Sequence, residues 1–338
     1  MRVYIGIDLH ANNLYVSVID IKGKVHLDCK LPTDLGTVLG TLSRYKKGAA
    51  GVVVESTYNW YWLVDGLMDA GYPVHLANPA GNHQYSGKKH SDDRSDARWL
   101  AELLRLGILV EGTILPKEDR AVRDLLRKRG QMVRQRTANI LSVQNLYARN
   151  IAVRPNSGKV KGLSRQNARE AMGDPLLAQA VESTLAVMAA QSAEIKRIEG
   201  MVLAAVSPRP EYELLKGAPG IGVILALTIL LEAGDIGRFP GPGHFASYCR
   251  CVGSEKLSNG KKKGEGNGKC GNRYLAWAFA EAAHHAIRSY KAVHAFYERK
   301  RAKRNGIVGL QAVAHKLARA SYHMLHDKVA FDMKRAFT

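Results

Sequence analysis

Val3-Tyr4-Ile5-Gly6-Ile7-Asp8 is an apolar run that ends in an acid. An unbroken run of this length, with branched and aromatic residues, reads as a buried strand. Ala11-Asn12-Asn13 supplies a turn, residues 14–19 a second strand, Lys22-Gly23 another turn, and residues 24–28 a third strand. Three strands joined by tight turns predict an antiparallel meander. A helix is expected over 35–45, then a buried strand, Gly51-Val52-Val53-Val54-Glu55. A helix over 60–70 and a strand over 73–77 follow. Strands that alternate with helices predict a mixed α/β sheet.

Three antiparallel strands followed by α-β-α-β is the element order of the ribonuclease H-like (RuvC-like) fold, expected over residues 1–115. Residues 116–207 read as helical. Leu126, Val133, Ile140 and Tyr147 recur every seven residues, as do Val181, Met188, Ile195 and Val202 beyond a Gly/Pro/Asn-containing break. That spacing fits an antiparallel coiled-coil hairpin, one arm of a dimer, or two amphipathic helices in a globular core. Ser207-Pro208-Arg209-Pro210 reads as a linker into a mostly helical domain, 208–338. There, helices over 273–302 and 309–327 follow a basic loop over 259–271.

The chain has 338 residues, with 50 Lys and Arg against 30 Asp and Glu, a formal net charge of +20. Such an excess points to a polyanionic partner. No run of about 18 apolar residues is present to span a membrane. Asp8 stands where a signal peptide needs an apolar stretch, so a cytoplasmic, nucleoid-associated protein is expected. The four cysteines make no disulfide framework. His244, Cys249, Cys251 and Cys270 are conceivable zinc ligands, but Cys-x-Cys is an unusual spacing for a structural zinc site.

Three constellations carry chemistry. Asp8 and Glu55 each close an apolar strand, and Asp93 and Asp96 are three apart in Ser91-Asp92-Asp93-Arg94-Ser95-Asp96. Acids at that spacing share one helix face. The four oxygen donors suit Mg²⁺ and a phosphodiester substrate; the alternative for the Asp pair is stabilisation of a helix N-terminus. Lys216-Gly217-Ala218-Pro219-Gly220-Ile221-Gly222, between two helices, reads as a helix-hairpin-helix turn. Gly220 and Gly222 would then offer backbone N–H groups to a phosphate beside Lys216, or the turn is purely structural. The third is the basic, Gly-rich segment 253–273. It carries Ser254, Ser258, Lys261, Lys262, Lys263 and Arg273, and is expected to be irregular and to wrap phosphates.

Taken in order, Ile5-Gly6-Ile7-Asp8, Val54-Glu55-Ser56-Thr57, Trp60-Tyr61-Trp62-Leu63, Asn78-Pro79, Asp93-Arg94-Ser95-Asp96-Ala97, Gly217-Ala218-Pro219-Gly220-Ile221-Gly222, Phe239-Pro240, Ser258-Asn259-Gly260-Lys261 and Gly271-Asn272-Arg273-Tyr274-Leu275 resemble the DEDD-type insertion-sequence transposases. The resemblance covers nearly the whole chain. It implies a RuvC-like domain with acidic ligands at Asp8, Glu55, Asp93 and Asp96, and a second domain whose nucleophile is Ser258. It also implies recombination of donor and target DNA under a structured bridge RNA; composition and spacing say nothing of that RNA. Arg250-Cys251-Val252-Gly253 departs from the family's usual Gly-Leu-x-Pro, which keeps Ser254 as a second choice of nucleophile. Serine and acids are expected to form one composite site, within a chain or across a homo-oligomer. The rival readings are a metal-dependent junction endonuclease that uses water and a non-catalytic nucleic-acid-binding protein.

Overall fold

The computed structural model describes residues 1–82, 92–265, 268 and 270–337, which fall into two compact units, Met1–Ile114 and Leu115–Thr338. Ser91 of the acidic motif, and Gly266, Asn267 and Lys269 of the basic segment 253–273, lie outside the described residues.

In the first unit, β1 (Val3–Leu9), β2 (Asn13–Asp20) and β3 (Val25–Pro32) form the meander. The chain continues through α1 (Leu35–Leu42), a 3₁₀ turn, β4 (Ala49–Glu55), α2 (Tyr61–Asp69) and β5 (Val74–Ala77). Sheet order is β3-β2-β1-β4-β5, with β4 parallel to β1 and β5 parallel to β4. The mixed sheet expected from strands that alternate with helices is therefore present. After α3 (Pro79–Asn82), α4 (Asp93–Arg105) lies across β1 and β2.

Side chains alternate across a strand, so β1 serves two layers. Val3, Ile5, Ile7 and Leu9 join Val38 and Leu42 of α1 and Leu63, Val64 and Leu67 of α2 in one core. Tyr4, Gly6 and Asp8 occupy the other face, where α4 packs. Gly6 decides how close α4 comes. A Cβ there would sit 2.0 Å from the Ala97 carbonyl oxygen and 2.6 Å from the Ala101 amide nitrogen. Only glycine lets the helix backbone rest on the strand, two residues before Asp8.

The second unit opens with α5 (Lys117–Ile151), the short α6 (Ser157–Lys161) and α7 (Arg165–Met172), and α8 (Pro175–Val206). α5 and α8 run antiparallel: Arg129 bonds Glu199, Arg136 bonds Ser192 and Asn139 bonds Gln191. The seven-spaced residues face inward; all are buried except Val133, which is half-buried. At one end of the pair, Ile140, Tyr147, Val181 and Met188 pack with α6 and α7. At the other, Leu126, Ile198, Val202 and Val206 share a core with the C-terminal helices. Residues on both sides of position 207 thus contribute to one core.

Those helices are α9 (Pro210–Lys216), α10 (Val223–Ala233), α11 (Pro242–Tyr248), α12 (Arg273–Ser289), α13 (Lys291–Arg301), α14 (Gly306–His326) and α15 (Met333–Phe337). Two expectations need correction. The helix expected over 273–302 is broken at Tyr290, whose backbone is extended at φ −126°, ψ 114°; the turn folds Val293 and Phe296 into the core. The loop after α11 is not irregular: β6 (Lys256–Ser258) and β7 (Lys261–Gly264) form an antiparallel hairpin. Asn259 and Gly260 between them have φ of 51° and 70°, the double positive φ of a two-residue Asn-Gly turn.

Candidate metal centre and serine hairpin

The carboxyl ends of β1 and β4 lie side by side, because Ile7 pairs with Val54 in the parallel register. Asp8 and Glu55 therefore emerge together. Asp93 and Asp96 stand in the first turn of α4. The neighbouring Asp92 does the capping: its side chain accepts from the Ser95 amide at 2.8 Å, and the Asp92 amide donates to the Ser95 hydroxyl at 3.0 Å. A capping box fixes the helix start and leaves Asp93 and Asp96 for the sheet end. Asp28 of β3 then anchors the helix face. It pairs with Arg98, and with Arg94 at 3.3 Å, while the Arg94 guanidinium also donates to the Asp28 carbonyl at 3.2 Å.

Asp8 is only 5% exposed. Burial pushes its pKa up to about 6; His10 opposes this, and the negative charges of Glu55, Asp93 and Asp96 reinforce it. Of the four acids singled out in the sequence, Asp8 and Asp93 come within ligand distance of one another, while Glu55 and Asp96 bear on Asp8 through their charge. A carboxylate as buried as Asp8, with three other acids acting on it, favours a bound cation once it ionises above pH 6.

His10 joins them. Its Nε2 lies 3.0 Å from Asp8 Oδ2 and 3.4 Å from Asp93 Oδ2, buried yet without an aligned hydrogen bond to either. Asp8, His10 and Asp93 offer one ligand atom each, all within 4.8 Å of one another. The carbonyl of His10 accepts from Asn59 Nδ2 at 3.0 Å, which ties the loop after Glu55 to the end of β1. Oxygen donors with one imidazole fit a divalent cation. The sequence alone does not single out this histidine, although Asp-x-His astride a strand end is a recognisable donor spacing.

Ser258 closes β6, exposed, directly opposite Lys261 in the hairpin register. Lys261, Lys262 and Lys263 are exposed on β7. The segment's ends are clamped. The Asn272 amide donates to the Tyr248 carbonyl at 2.6 Å, and the Arg250 guanidinium donates to the Gly271 carbonyl at 2.8 and 3.1 Å. Gly271 has φ of 93°, and a Cβ there would meet the Tyr248 carbonyl oxygen at 2.4 Å. Asn272 caps α12 through Tyr274 and Leu275 and donates to Glu232 Oε2 at 2.7 Å. Arg273 begins that helix. Ser254, half-buried before β6, is the other serine of the segment.

The glycine turn after α9 has a packing reason of its own. Gly220, at φ 77°, lies so close to α12 that a Cβ would meet the Ala282 carbonyl oxygen at 2.1 Å. Gly222 is exposed with open space beside it, and Lys216 pairs with Glu213 at 2.9 Å. The zinc possibility is corrected: Cys249 and Cys251 are core residues with thiol pKa values pushed up by burial, Cys251 to about 12, while Cys270 is exposed. Among the described residues, Asp8, His10 and Asp93 form a cluster that could hold a metal ion, and the cysteines contribute to none.

A mixed sheet with acids at the ends of its central parallel strands defines a ribonuclease H-like domain suited to a divalent cation. Comparison with known families agrees. A transposase profile of the IS110 DEDD type matches residues 5–148, and that of the Transposase IS116/IS110/IS902 family matches residues 212–298. The chain belongs to the IS110 family of DEDD transposases. The transposase for insertion sequence element IS1111A of Coxiella burnetii is 24% identical over 295 residues, 85% of this chain and 78% of that protein. A probable family 20 transposase of Pseudomonas aeruginosa is 24% identical, covering 68% of each chain. The insertion element IS110 uncharacterized 43.6 kDa protein of Streptomyces coelicolor is 26% identical over 46% of this chain and 38% of its own length. No helix among the described residues is long and apolar enough to cross a membrane.

Proposed function

We propose that the chain moves an insertion sequence by cutting and rejoining DNA, with Asp8, Glu55, Asp93 and Asp96 as the ligands of Mg²⁺ and Ser258 as the nucleophile. The observation that carries this reading is the cluster of Asp8, His10 and Asp93 ligand atoms at the sheet end, with Glu55 and Asp96 adding negative charge at the buried Asp8. Bound there, the cation would neutralise phosphate charge and polarise the phosphorus–oxygen bonds.

The Ser258 oxygen attacks a backbone phosphate. A serine–phosphate bond forms as the bond to one deoxyribose oxygen breaks, and that oxygen leaves as a hydroxyl. A deoxyribose hydroxyl of the second strand then displaces the serine, so the number of phosphodiester bonds is conserved without ATP. Lys261, opposite Ser258, and Lys262 and Lys263 balance phosphate charge during both steps; Lys216, the Gly220–Gly222 turn and Arg273 hold the nucleic-acid backbone. The protein acts in the bacterial cytoplasm as a homo-oligomer that holds two duplexes. The structured guide RNA is taken over from the family resemblance.

The test is strand exchange on a plasmid pair with titrated MgCl₂ or MnCl₂. The wild type is expected to require the cation, and Asp8→Asn and Ser258→Ala to be inactive. Exchange by Asp8→Asn would overturn the metal site. Cation-dependent cutting that survives Ser258→Ala would replace the serine with water.

A further inference from the structure

The second unit holds a pocket of about 360 Å³ walled by α5, α10 and α12, whose lining does not include Ser258. Its base is rigid. Glu232, 3% exposed, accepts from Arg127 Nε at 2.6 Å and from a terminal nitrogen of the same guanidinium at 2.7 Å, as well as from Asn272. The Arg127 guanidinium lies over the Tyr274 ring at 4.5 Å, and that of Arg273 at 4.9 Å. One turn further along α12, Trp277 lines the same pocket and is 44% exposed.

The charge is unbalanced. Arg127 is neutralised by Glu232, and Arg129 by Glu199. Arg134 and Arg273 also line the pocket, and among the described residues neither has a carboxylate partner. An exposed indole beside two uncompensated guanidinium groups offers a flat apolar surface and an anion site on the walls of one pocket. A nucleotide has the matching pair, a π-face and a phosphate. A base stacked within a duplex cannot enter a pocket closed by three helices; an unpaired one can.

We propose that this pocket captures one unpaired nucleotide, its base stacked on Trp277 and its phosphate held by Arg134 and Arg273. The inference rests on the transposase reading to the extent that strand exchange generates unpaired nucleotides. Asn272 joins the two regions, since it both supports Glu232 and closes the serine segment. A base seated here would hold its strand beside the mount of the hairpin.

The probe is a short single-stranded deoxyoligonucleotide that carries one 2-aminopurine, mixed with the full chain without divalent cation so that no cutting occurs. Stacking on an indole is expected to quench the probe. Trp277→Ala is expected to abolish the quenching and weaken single-strand binding about ten-fold, the size of one base–aromatic stack, with duplex binding unchanged. Trp277→Phe is expected to retain most of the affinity. Arg134→Gln, on a different helix, is expected to weaken single-strand binding without removing the quench. Wild-type quenching and affinity in Trp277→Ala would overturn the proposal, as would an equal loss of duplex and single-strand binding. A ribonucleotide probe of the same sequence that binds more tightly assigns the pocket to RNA; a tighter deoxy probe assigns it to DNA; either supports a nucleotide site. Strand exchange by Asp8→Asn would sink the metal-site reading and leave this pocket intact. Loss of the quenching result would sink the pocket and leave that reading intact.

Discussion

Asp8 is 5% exposed at the end of a strand hydrogen-bonded on both sides, whereas Ser258 ends a three-residue strand of an exposed two-stranded hairpin. Both are proposed to act on the same kind of bond, yet they are mounted in opposite ways. The acids sit on rigid elements: the register of β1 and β4 fixes two, and the cap and anchors of α4 fix the others. Crowding them is costly, because the Asp8 carboxylate must be charged while dry. The serine's segment is held at its base by Arg250, Gly271 and Asn272, and its exposed hydroxyl is left to meet a large substrate. A cation centre gains from fixed distances. A nucleophile for a polymer gains from reach.

The largest effect is expected at Asp8. Asp8→Asn should reduce exchange by on the order of 100-fold or more, the scale of losing a ligand that supports transition-state charge. The same change should stabilise the metal-free protein at pH 7.5. The raised pKa means the folded state holds its proton more tightly than the unfolded chain. The metal-free wild type therefore loses stability as pH rises from about 4 through about 6, by up to about 3 kcal/mol for a two-unit shift. Melting curves at pH 5 and 7.5 check this; a metal-free Asp8→Asn protein with the wild-type pH dependence would contradict it. Divalent-cation affinity of the wild type should fall below pH 6, as protons compete for Asp8.

Gly6→Val sharpens the comparison from the scaffold side. The added Cβ strikes the backbone of α4, so the helix must shift, at a cost of about 1–3 kcal/mol or more. Because α4 carries Asp93 and Asp96, activity should fall further than stability, while duplex binding by the second unit persists. Equal activity in a folded Gly6→Val protein would show that the approach of α4 is not what sets the site.

Asn272→Ala tests the mount of the serine. It removes a cap and a partner of the buried Glu232, and should cost about 1–3 kcal/mol. Serine chemistry should weaken while cation affinity is unchanged. The smallest effect belongs to Lys261, Lys262 and Lys263. Replacing all three with Ala should weaken DNA binding for every sequence and lower the salt slope by about one for each phosphate no longer neutralised. Altered sequence preference with an unchanged slope would contradict a phosphate-holding hairpin.

The sequence exposes Asp8 and Glu55 because each ends an unbroken apolar run, Val3–Ile7 and Gly51–Val54, and it exposes Asp93 and Asp96 by their helical spacing. What it hides depends on tertiary approach. His10 is met only when the ends of β1 and α4 are side by side, and the pairing of Asp28 with Arg94 and Arg98 joins residues 66 and 70 apart in sequence. The hairpin is a different case. Asn259-Gly260 is a strong turn signal, but the surrounding glycines and lysines mask two strands too short to show alternation. The break at Tyr290 has neither glycine nor proline to mark it and arises from packing of Val293 and Phe296. In the sequence Gly220 reads as a phosphate-binding glycine; its close approach to α12 supplies a steric reason that sequence cannot display.

The central claim, that carboxylates and a serine act in one recombination chemistry, is tested most directly by trapping the covalent intermediate. Wild-type protein, substrate DNA and MgCl₂ are quenched in denaturant, digested and analysed by mass spectrometry. The account predicts a nucleotide phosphate on Ser258, dependent on the cation and absent from Asp8→Asn. An adduct on Ser254, an adduct formed equally by Asp8→Asn, or cut DNA with no protein attached would contradict it.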